Sequence, residues 1–216
     1  VRVGIIETMI TLGIESSCDD TAIAVLDDDR IRANVVSGQD RIHERLGGIV
    51  PELASRKHVE SITRVLDNAL EKADLEINDV ELIAATQGPG LIGSLLVGFA
   101  FAKSLSYTLK IPYVGVDHMA AHILSAFLEE KKPSFPYIAL IVSGGTTALF
   151  KASSFHEFDL LGRTRDDAAG EAFDKVARLL DLGYPGGPVV SRRAAGADSK
   201  HIQLPRAWLK DSYDFS

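Results

Sequence analysis

Two histidines, His118 and His122, stand four residues apart in the segment "VDHMAAHIL". On a helix this spacing places both imidazoles on one face. A metal site needs at least a third protein ligand, and the scattered histidines 43, 58, 156 and 201 supply none at suitable spacing. The pair therefore predicts half of a metal site, with surface and capping histidines as the alternative.

The second group that suggests chemistry is the short segment "SGG", residues 143–145, which follows an apolar run. Glycines in a turn allow backbone N–H groups to approach an anion, because no Cβ blocks them. A tight turn that needs a positive φ is the alternative. A second polar turn, "SSCDD" at 16–20, also lies between two predicted strands. Two such turns on one cleft would hold a phosphate chain from both sides.

An acidic residue, Asp174, lies within the apolar-patterned segment "RDDAAGEAFDKVAR". It can serve as an acceptor for the hydroxyl groups of a ligand, and a solvated surface carboxylate is the alternative. Asp166 or Asp167 is predicted to cap the helix that follows.

Small residues recur in the apolar segment "QGPGLIGSLLVGFAFAKSL", where Gly93, Ser94 and Gly98 give a predicted helix one smooth side. Internal packing explains such a side, and a helix that binds a partner protein is the alternative. We predict a partner surface on the helix at 91–109.

The predicted elements that position these groups form two similar series. The first hairpin, "GIESSCDDTAIAVLD", and the later "LIVSGGTTALFKAS" both read strand, small polar turn, threonine, strand. This duplication predicts two related α/β lobes. Strands are predicted at 11–15, 21–27, 31–37, 81–86, 113–116, 137–143 and 147–153, and helices at 51–73, 91–109, from 118 to near Pro133, 167–182 and from 189.

The composition limits the class of protein. The 216 residues carry a formal net charge of −7, which argues against a protein that holds nucleic acid by charge alone. Cys18 is the single cysteine, so no intrachain disulfide forms, which fits a reducing cytosol. The apolar run at 91–102 is short for a membrane span, and the first residues lack a signal-peptide pattern. We expect a cytoplasmic protein without a membrane partner.

Seven segments, in order, together resemble the bacterial TsaD family of tRNA N6-adenosine threonylcarbamoyltransferases. They are "GIESSCDDTAIAV", "GGIVPELASRKH", "TQGPGLIGSLLVG", "VDHMAAH", "VSGGTT", "DDAAGEAFDKVARLL" and "YPGGP". The resemblance implies an α/β, two-lobed fold of the actin, hexokinase and Hsp70 (ASKHA) type, with a first lobe at 1–132 and the start of a second at 133–216. It also implies transfer of a threonylcarbamoyl group from threonylcarbamoyl-AMP to N6 of the adenosine beside the anticodon of ANN-decoding tRNAs.

The resemblance also implies roles for individual residues. His118 and His122 match metal ligands, and the family's metal is iron or zinc. The implied partners are tRNA, a TsaE-like ATPase subunit, and either a TsaB-like paralogue or a second copy bound through helix 91–109. The substrate contacts match the hairpin residues Ile141, Val142, Ser143, Gly144 and Gly145, together with Asp174 and Gly187.

Two departures from the family pattern stand out. Thr146 replaces the family's usual histidine, which removes an imidazole near the adenylate. Family members also continue beyond residue 216, where the resemblance places an aspartate as the third metal ligand. We therefore expect an N-terminal fragment or a shortened member that binds zinc or iron weakly and is inactive alone.

Two other functions remain open on the sequence. A shortened, non-catalytic paralogue would act as a scaffold for partners. A sugar or acetate kinase would share the fold, but such kinases bind Mg²⁺ on carboxylates rather than on a histidine pair. An HExxH metallopeptidase is excluded, because Met119 occupies the position of the base glutamate.

Overall fold

The structure is a computed structural model that describes residues 8–198, 204–207 and 209–216. The chain divides into two compact units between Ala121 and His122. Both units combine helices with strands and contain an antiparallel hairpin, so the predicted duplication of the hairpin is confirmed.

The first unit contains a five-stranded sheet with the order β3-β2-β1-β4-β5. Strands β1, β2 and β3 form an antiparallel meander, whereas β4 pairs parallel with β1 and β5 pairs parallel with β4. The carboxyl ends of β1, β4 and β5 therefore meet at one edge of the sheet. The strands are β1 (Ile10–Glu15), β2 (Thr21–Asp27), β3 (Arg30–Ser37), β4 (Leu82–Gly88) and β5 (Tyr113–Asp117).

The helices that cover this sheet are α1 (Asp40–Glu44), α2 (Pro51–Ala73) and α3 (Ile92–Leu109). Helix α2 begins at Pro51, where the missing N–H costs nothing, and it ends before Asp74, which has a left-handed φ of 56°. Its apolar side packs on β2 and β3, while α3 packs on β4 and α2. Burial of these apolar side chains gives one continuous core, whose members include Leu12, Ile14, Ile23, Val25, Ile62, Val65, Leu66, Ile83 and Ala102.

On the small-residue side of α3, Ser94 and Gly98 face this core, whereas Gly93 is exposed. Ser94 is fully buried, and a Cβ added to Gly98 would lie 2.3 Å from Ser16 Oγ. The internal-packing alternative is thus confirmed for Ser94 and Gly98, and the predicted partner surface at these residues is wrong. Large apolar side chains instead cover the opposite side, where Ile92, Leu96 and Tyr107 are 85%, 62% and 88% exposed.

Helix α3 is, in the part of the chain that the structure describes, the one helix long and apolar enough to cross a membrane. Core helices of soluble proteins pass the same test, so a single helix of this kind is weak evidence for a membrane protein.

Helix α4 (His118–Leu124) carries the histidine pair, as the spacing predicted, but it does not extend to Pro133. A short 3₁₀ turn follows at Ser125–Leu128. The Ser125 hydroxyl donates a hydrogen bond of 2.8 Å to the carbonyl of His122. Such a bond competes with the helical backbone pattern, which accounts for the early end of α4.

The described residues of the second unit include a three-stranded antiparallel sheet, β6-β7-β8, and a pair of helices that pack on each other. Strands β6 (Tyr137–Val142) and β7 (Thr147–Ser154) are the predicted hairpin, while β8 (Glu157–Arg163) was not predicted. Helix α5 (Ala169–Leu179) is shorter than the predicted 167–182, and α6 (Gly186–Ala194) starts before the predicted position.

Candidate functional site

The carboxyl-terminal edge of β1, β4 and β5 gathers polar side chains in the first unit. Glu15 ends β1, Thr86 lies near the end of β4, and His118 directly follows β5. The Glu15 Oε2 atom accepts hydrogen bonds from Thr86 Oγ1 and from His118 Nδ1, the latter at 3.1 Å. The Ser17 backbone N–H donates to the other oxygen, Glu15 Oε1. We call these four residues the carboxylate cluster.

Glu15 is charged in this cluster. Burial by itself raises the pKa of Glu15, but hydrogen bonds from His118, Ser17 and Thr86 outweigh it and lower this pKa to about 2. A carboxylate is only an acceptor, and all three partners can donate to it. The cluster is thus a fixed anionic group at the sheet edge where ligands commonly bind in parallel α/β sheets.

The polar turn at 16–20 is held firmly against its surroundings. Ser16 Oγ donates to the carbonyl of Ser94 at 2.9 Å, and Leu91 N–H donates to the carbonyl of Ser17 at 2.7 Å. The fully buried His58 bridges the turn to α2, with its Nε2 3.0 Å from the carbonyl oxygen of Cys18 and its Nδ1 2.7 Å from Thr21 Oγ1. The turn is thereby positioned by both flanking helices.

The Cys18 thiol in this turn is expected to react slowly with alkylating agents. Burial and the neighbouring Asp19 carboxylate raise its pKa from 9.0 to about 12. This reduces the thiolate fraction about 1000-fold, while the greater nucleophilicity of a basic thiolate restores roughly 20-fold. Iodoacetamide should therefore modify Cys18 about 50-fold more slowly at pH 8 than a free thiol, with a rate that still rises at pH 10. Asp19→Asn should accelerate the reaction, and a rate plateau near pH 9 would contradict the assignment.

In the second unit the turn between β6 and β7, residues 143–146, is the glycine turn. Ser143 N–H donates to the carbonyl of Thr146 at 2.8 Å, and Thr146 N–H donates to Ser143 Oγ at 3.0 Å. Neither Gly144 nor Gly145 has a positive φ, and a Cβ on either would meet nothing within 4 Å. The alternative that these glycines serve a positive-φ turn is therefore wrong. The protein's own packing in the described residues does not require glycine at either position.

Helix α5 connects the glycine turn to other predicted site residues. Its first N–H groups are used within the protein, since Gly170 donates to the carbonyl of Ser143 at 3.1 Å and Ala169 donates to Thr147 Oγ1 at 2.8 Å. The N-cap residue is Ala168 without a side-chain cap, so the predicted capping by Asp166 or Asp167 is wrong. Instead, the hydroxyl of Thr147, which lies on strand β7, accepts the hydrogen bond from the first N–H of the helix.

Asp174 links α5 to α6 rather than standing alone on the surface. Its Oδ1 atom accepts a hydrogen bond of 2.7 Å from the N–H of Gly186, the residue before Gly187. Gly186 itself lies tightly on α5, because a Cβ there would come within 2.4 Å of the Phe173 carbonyl oxygen. The structure thus places Asp174 and Gly187 in one connected group with the glycine turn.

His122 lies in the second unit and lines a surface cavity of about 390 Å³. Ile141, a predicted substrate contact, is buried at the wall of the same cavity. Val142 is exposed, as are Ser143, Gly144 and Gly145. Other lining residues are Ile123, Ala126, Glu129, Lys131, Pro133, Tyr137, Ile138, Ala139 and Leu140.

The metal assignment stays a prediction. Across residues 8–198, 204–207 and 209–216 the structure contains no group of three or more His, Cys, Asp or Glu side chains suited to a metal ion. His118 does have one property of a metal ligand, since metal-bound histidines usually donate their second ring N–H to a carboxylate or carbonyl.

The sequence did not predict Glu15 and Thr86 as members of the carboxylate cluster, whereas Ser17 lies in the polar turn at 16–20 that it did predict. The available signal was that the predicted strands 11–15 and 81–86 end in a polar residue, and that His118 lies two residues after the predicted strand 113–116. This signal is not sufficient by itself, because the parallel pairing that joins these strand ends is not visible in the local sequence pattern.

The sequence matches a known protein family. The profile of the family described as "TsaD: tRNA N6-adenosine threonylcarbamoyltransferase" matches residues 30–216. The chain belongs to the TsaD family. The TsaD protein of Desulfotalea psychrophila is 60% identical over 210 residues, which cover 96% of this chain and 61% of that protein. Its counterpart in Thermodesulfovibrio yellowstonii is 54% identical over 208 residues, or 96% of this chain and 62% of that protein.

Both relatives are called tRNA N6-adenosine threonylcarbamoyltransferase, and the chain spans about three fifths of their length. Solved structures show the fold. YeaZ from Pseudomonas aeruginosa is 16% identical with a TM-score of 0.50, over 70% of this chain and 63% of that one. Component A of (R)-2-hydroxyglutaryl-CoA dehydratase from Acidaminococcus fermentans is 15% identical with a TM-score of 0.51, over 89% of this chain and 71% of that one. The predicted ASKHA-type fold is confirmed.

Proposed function

We propose that this sequence provides the substrate-binding part of a tRNA N6-adenosine threonylcarbamoyltransferase. The reaction would transfer threonylcarbamoyl from threonylcarbamoyl-AMP to N6 of the adenosine beside the anticodon of ANN-decoding tRNAs. Membership of the TsaD family supports this activity. The observation that carries the site is the open space beside Gly144 and Gly145, in an exposed turn whose glycines the fold does not need.

The reaction requires the protein to bind and orient its two substrates, and it does not require a reactive side chain. The donor is a mixed carbonic–phosphoric anhydride, so its carbonyl carbon is already activated. The N6 amine attacks this carbon, the bond from carbon to the phosphate oxygen breaks, and AMP leaves with the electron pair while the amine loses a proton. The protein must hold the anhydride and place a weakly nucleophilic aromatic amine within reach.

Four parts of the second unit are suited to hold the adenylate. Backbone N–H groups at Gly144 and Gly145 would approach the phosphate, and the buried Ile141 with Val142 would support the turn. Asp174 and Gly187 would contact the nucleoside, because the bond from Gly186 N–H to Asp174 keeps both near the start of α6. Thr146 contributes backbone groups that close the turn, without the family's usual imidazole.

Iron or zinc is the proposed cofactor, held by His118 and His122 with a carboxylate outside this sequence. When bound, the ion would act as a Lewis acid on the anhydride carbonyl. His118 fits this role by virtue of its bond to Glu15, while the described residues alone form an incomplete ligand set.

The proposed partners are tRNA, a TsaE-like ATPase subunit, and a TsaB-like paralogue or a second copy on α3. We assign this contact to the exposed side of α3, which carries Ile92, Leu96 and Tyr107, because Ser94 and Gly98 on the other side are buried. The same proposal includes a first lobe at 1–132, the start of a second lobe at 133–216, and a cytoplasmic location. The scaffold alternative has less support, because a scaffold would need neither the carboxylate cluster nor the glycine turn.

Gly144→Val tests the substrate site. The new side chain enters open space, so the melting temperature should stay almost unchanged, whereas the Cβ branch should block the phosphate. We expect affinity for a non-hydrolysable threonylcarbamoyl-adenylate analogue to fall about tenfold or more by calorimetry. The measurement uses this sequence joined to the remaining part of the Desulfotalea psychrophila protein. Unchanged affinity would refute the assignment of the turn.

A further inference from the structure

The contact between Glu15 and His118 constrains the protonation of the imidazole ring. Glu15 is the last residue of β1, and its Oε2 atom lies 3.1 Å from His118 Nδ1. The same carboxylate accepts from Thr86 Oγ1 and from Ser17 N–H, so three separate segments of the chain fix its position. Both Glu15 and His118 are partly buried, with side chains 33% and 22% exposed.

An ionised carboxylate has no proton to donate. Nδ1 of His118 must therefore carry the proton of this hydrogen bond. In the neutral ring the lone pair then resides on Nε2, which is the form that a metal ion can use. Ser17 Oγ is 3.4–3.5 Å from the ring nitrogens, which is too far to impose the opposite tautomer.

We infer that Glu15 is a positioning residue for His118: it fixes the Nδ1–H tautomer and presents Nε2 as the metal-binding nitrogen. This inference rests on the proposed role of His118 as a metal ligand. A simple ion pair between Glu15 and a protonated His118 is the competing explanation. It does not require the proton of the neutral ring to reside on a particular nitrogen.

The first test reads the tautomer directly and needs neither metal nor substrate. Long-range ¹H–¹⁵N correlation spectra of the ¹⁵N-labelled 216-residue chain at pH 8 report which ring nitrogen is protonated, and a His118→Gln variant assigns the signals. We expect a protonated Nδ1 and an unprotonated Nε2. A ring that carries its proton on Nε2, or that averages between the tautomers, would overturn the inference.

The second test uses a pair of variants. Glu15→Ala removes the acceptor, so the tautomer should become averaged or change to Nε2–H. Thr86→Val removes a different hydrogen bond to the same carboxylate oxygen and keeps the contact with His118. It should leave the Nδ1–H tautomer in place. Equal effects of both variants would indicate a merely structural role and would overturn the inference.

Zinc titration links the tautomer to metal binding. With millimolar Zn²⁺ added to the unmodified chain, the Nε2 signal of His118 should shift, and Glu15→Ala should weaken this binding about 10- to 100-fold. Thr86→Val should change it by less than about threefold. A shift at Nδ1, or none at His118, would refute the choice of Nε2. The tautomer of His118 is measured without any transferase activity. A failure of the proposed function and a failure of this inference can therefore be told apart.

Discussion

Gly170→Ala is expected to destabilise the second unit and to displace the glycine turn. A Cβ at this position would lie 2.5 Å from the carbonyl oxygen of Ser143 and 2.8 Å from the Cα of Gly144. Both are backbone atoms, so no side chain can rotate away to relieve the overlap. The free energy of unfolding should fall by about 2–3 kcal/mol, the upper range for overpacking. Thermal and urea unfolding of the 216-residue chain measure this change.

Gly187→Ala is the matched control for this experiment. Gly187 also lies in the first turn of a helix of the second unit, but a Cβ there would meet nothing within 4 Å. Alanine is the better helix former, so stability should be unchanged or higher by up to about 1 kcal/mol. Equal stabilities of the two variants would contradict the close approach of α5 to the glycine turn.

Gly98→Leu is expected to lower the free energy of unfolding of the first unit substantially. The added Cβ would come within 2.3 Å of Ser16 Oγ and 3.2 Å of Ser16 Cβ, beneath the polar turn. Leucine is a better helix former than glycine by at most about 1 kcal/mol. Overpacking of a buried site costs about 3 kcal/mol or more, so the net change is a loss of at least about 2 kcal/mol.

Ala100→Leu provides the comparison on the same helix, since Ala100 is exposed. It should change the free energy of unfolding by less than about 0.5 kcal/mol. Circular dichroism during urea unfolding separates the two variants. A stable, fully folded Gly98→Leu chain would restore the earlier prediction that the small-residue side of α3 is a partner surface.

The local pattern of apolar and turn-forming residues was enough to predict most helices and strands of the first unit. Helix α2 runs from Pro51 to Ala73 as predicted, because a proline fixes its start and the apolar spacing keeps a helical period throughout. Strand β8 was missed: its sequence "EFDLLGR" has charged residues and a glycine, and pairing with β7 rather than its own composition makes it a strand.

The site was less predictable than the fold. The histidine spacing and the glycine turn are local signals, and the structure places them on the predicted helix and hairpin. Which side of α3 is buried depends on Ser16, 78 residues away from its contact Ser94, and no local pattern contains that information. The carboxylate cluster was missed for the same reason.

The parallel pairing of β1, β4 and β5 has a consequence for how the chain folds during synthesis. Glu15 meets Thr86 across 71 positions and His118 across 103. The meander β1–β3 has only local pairings, so it is able to form early, whereas the free edge of β1 waits for β4, the strand with which it pairs. At about 5–20 residues per second, a ribosome would need roughly 4–14 seconds to deliver Thr86, on β4, after Glu15. Until then the open edge of β1 is exposed to other nascent chains, which makes this interval the period of greatest risk for misassembly.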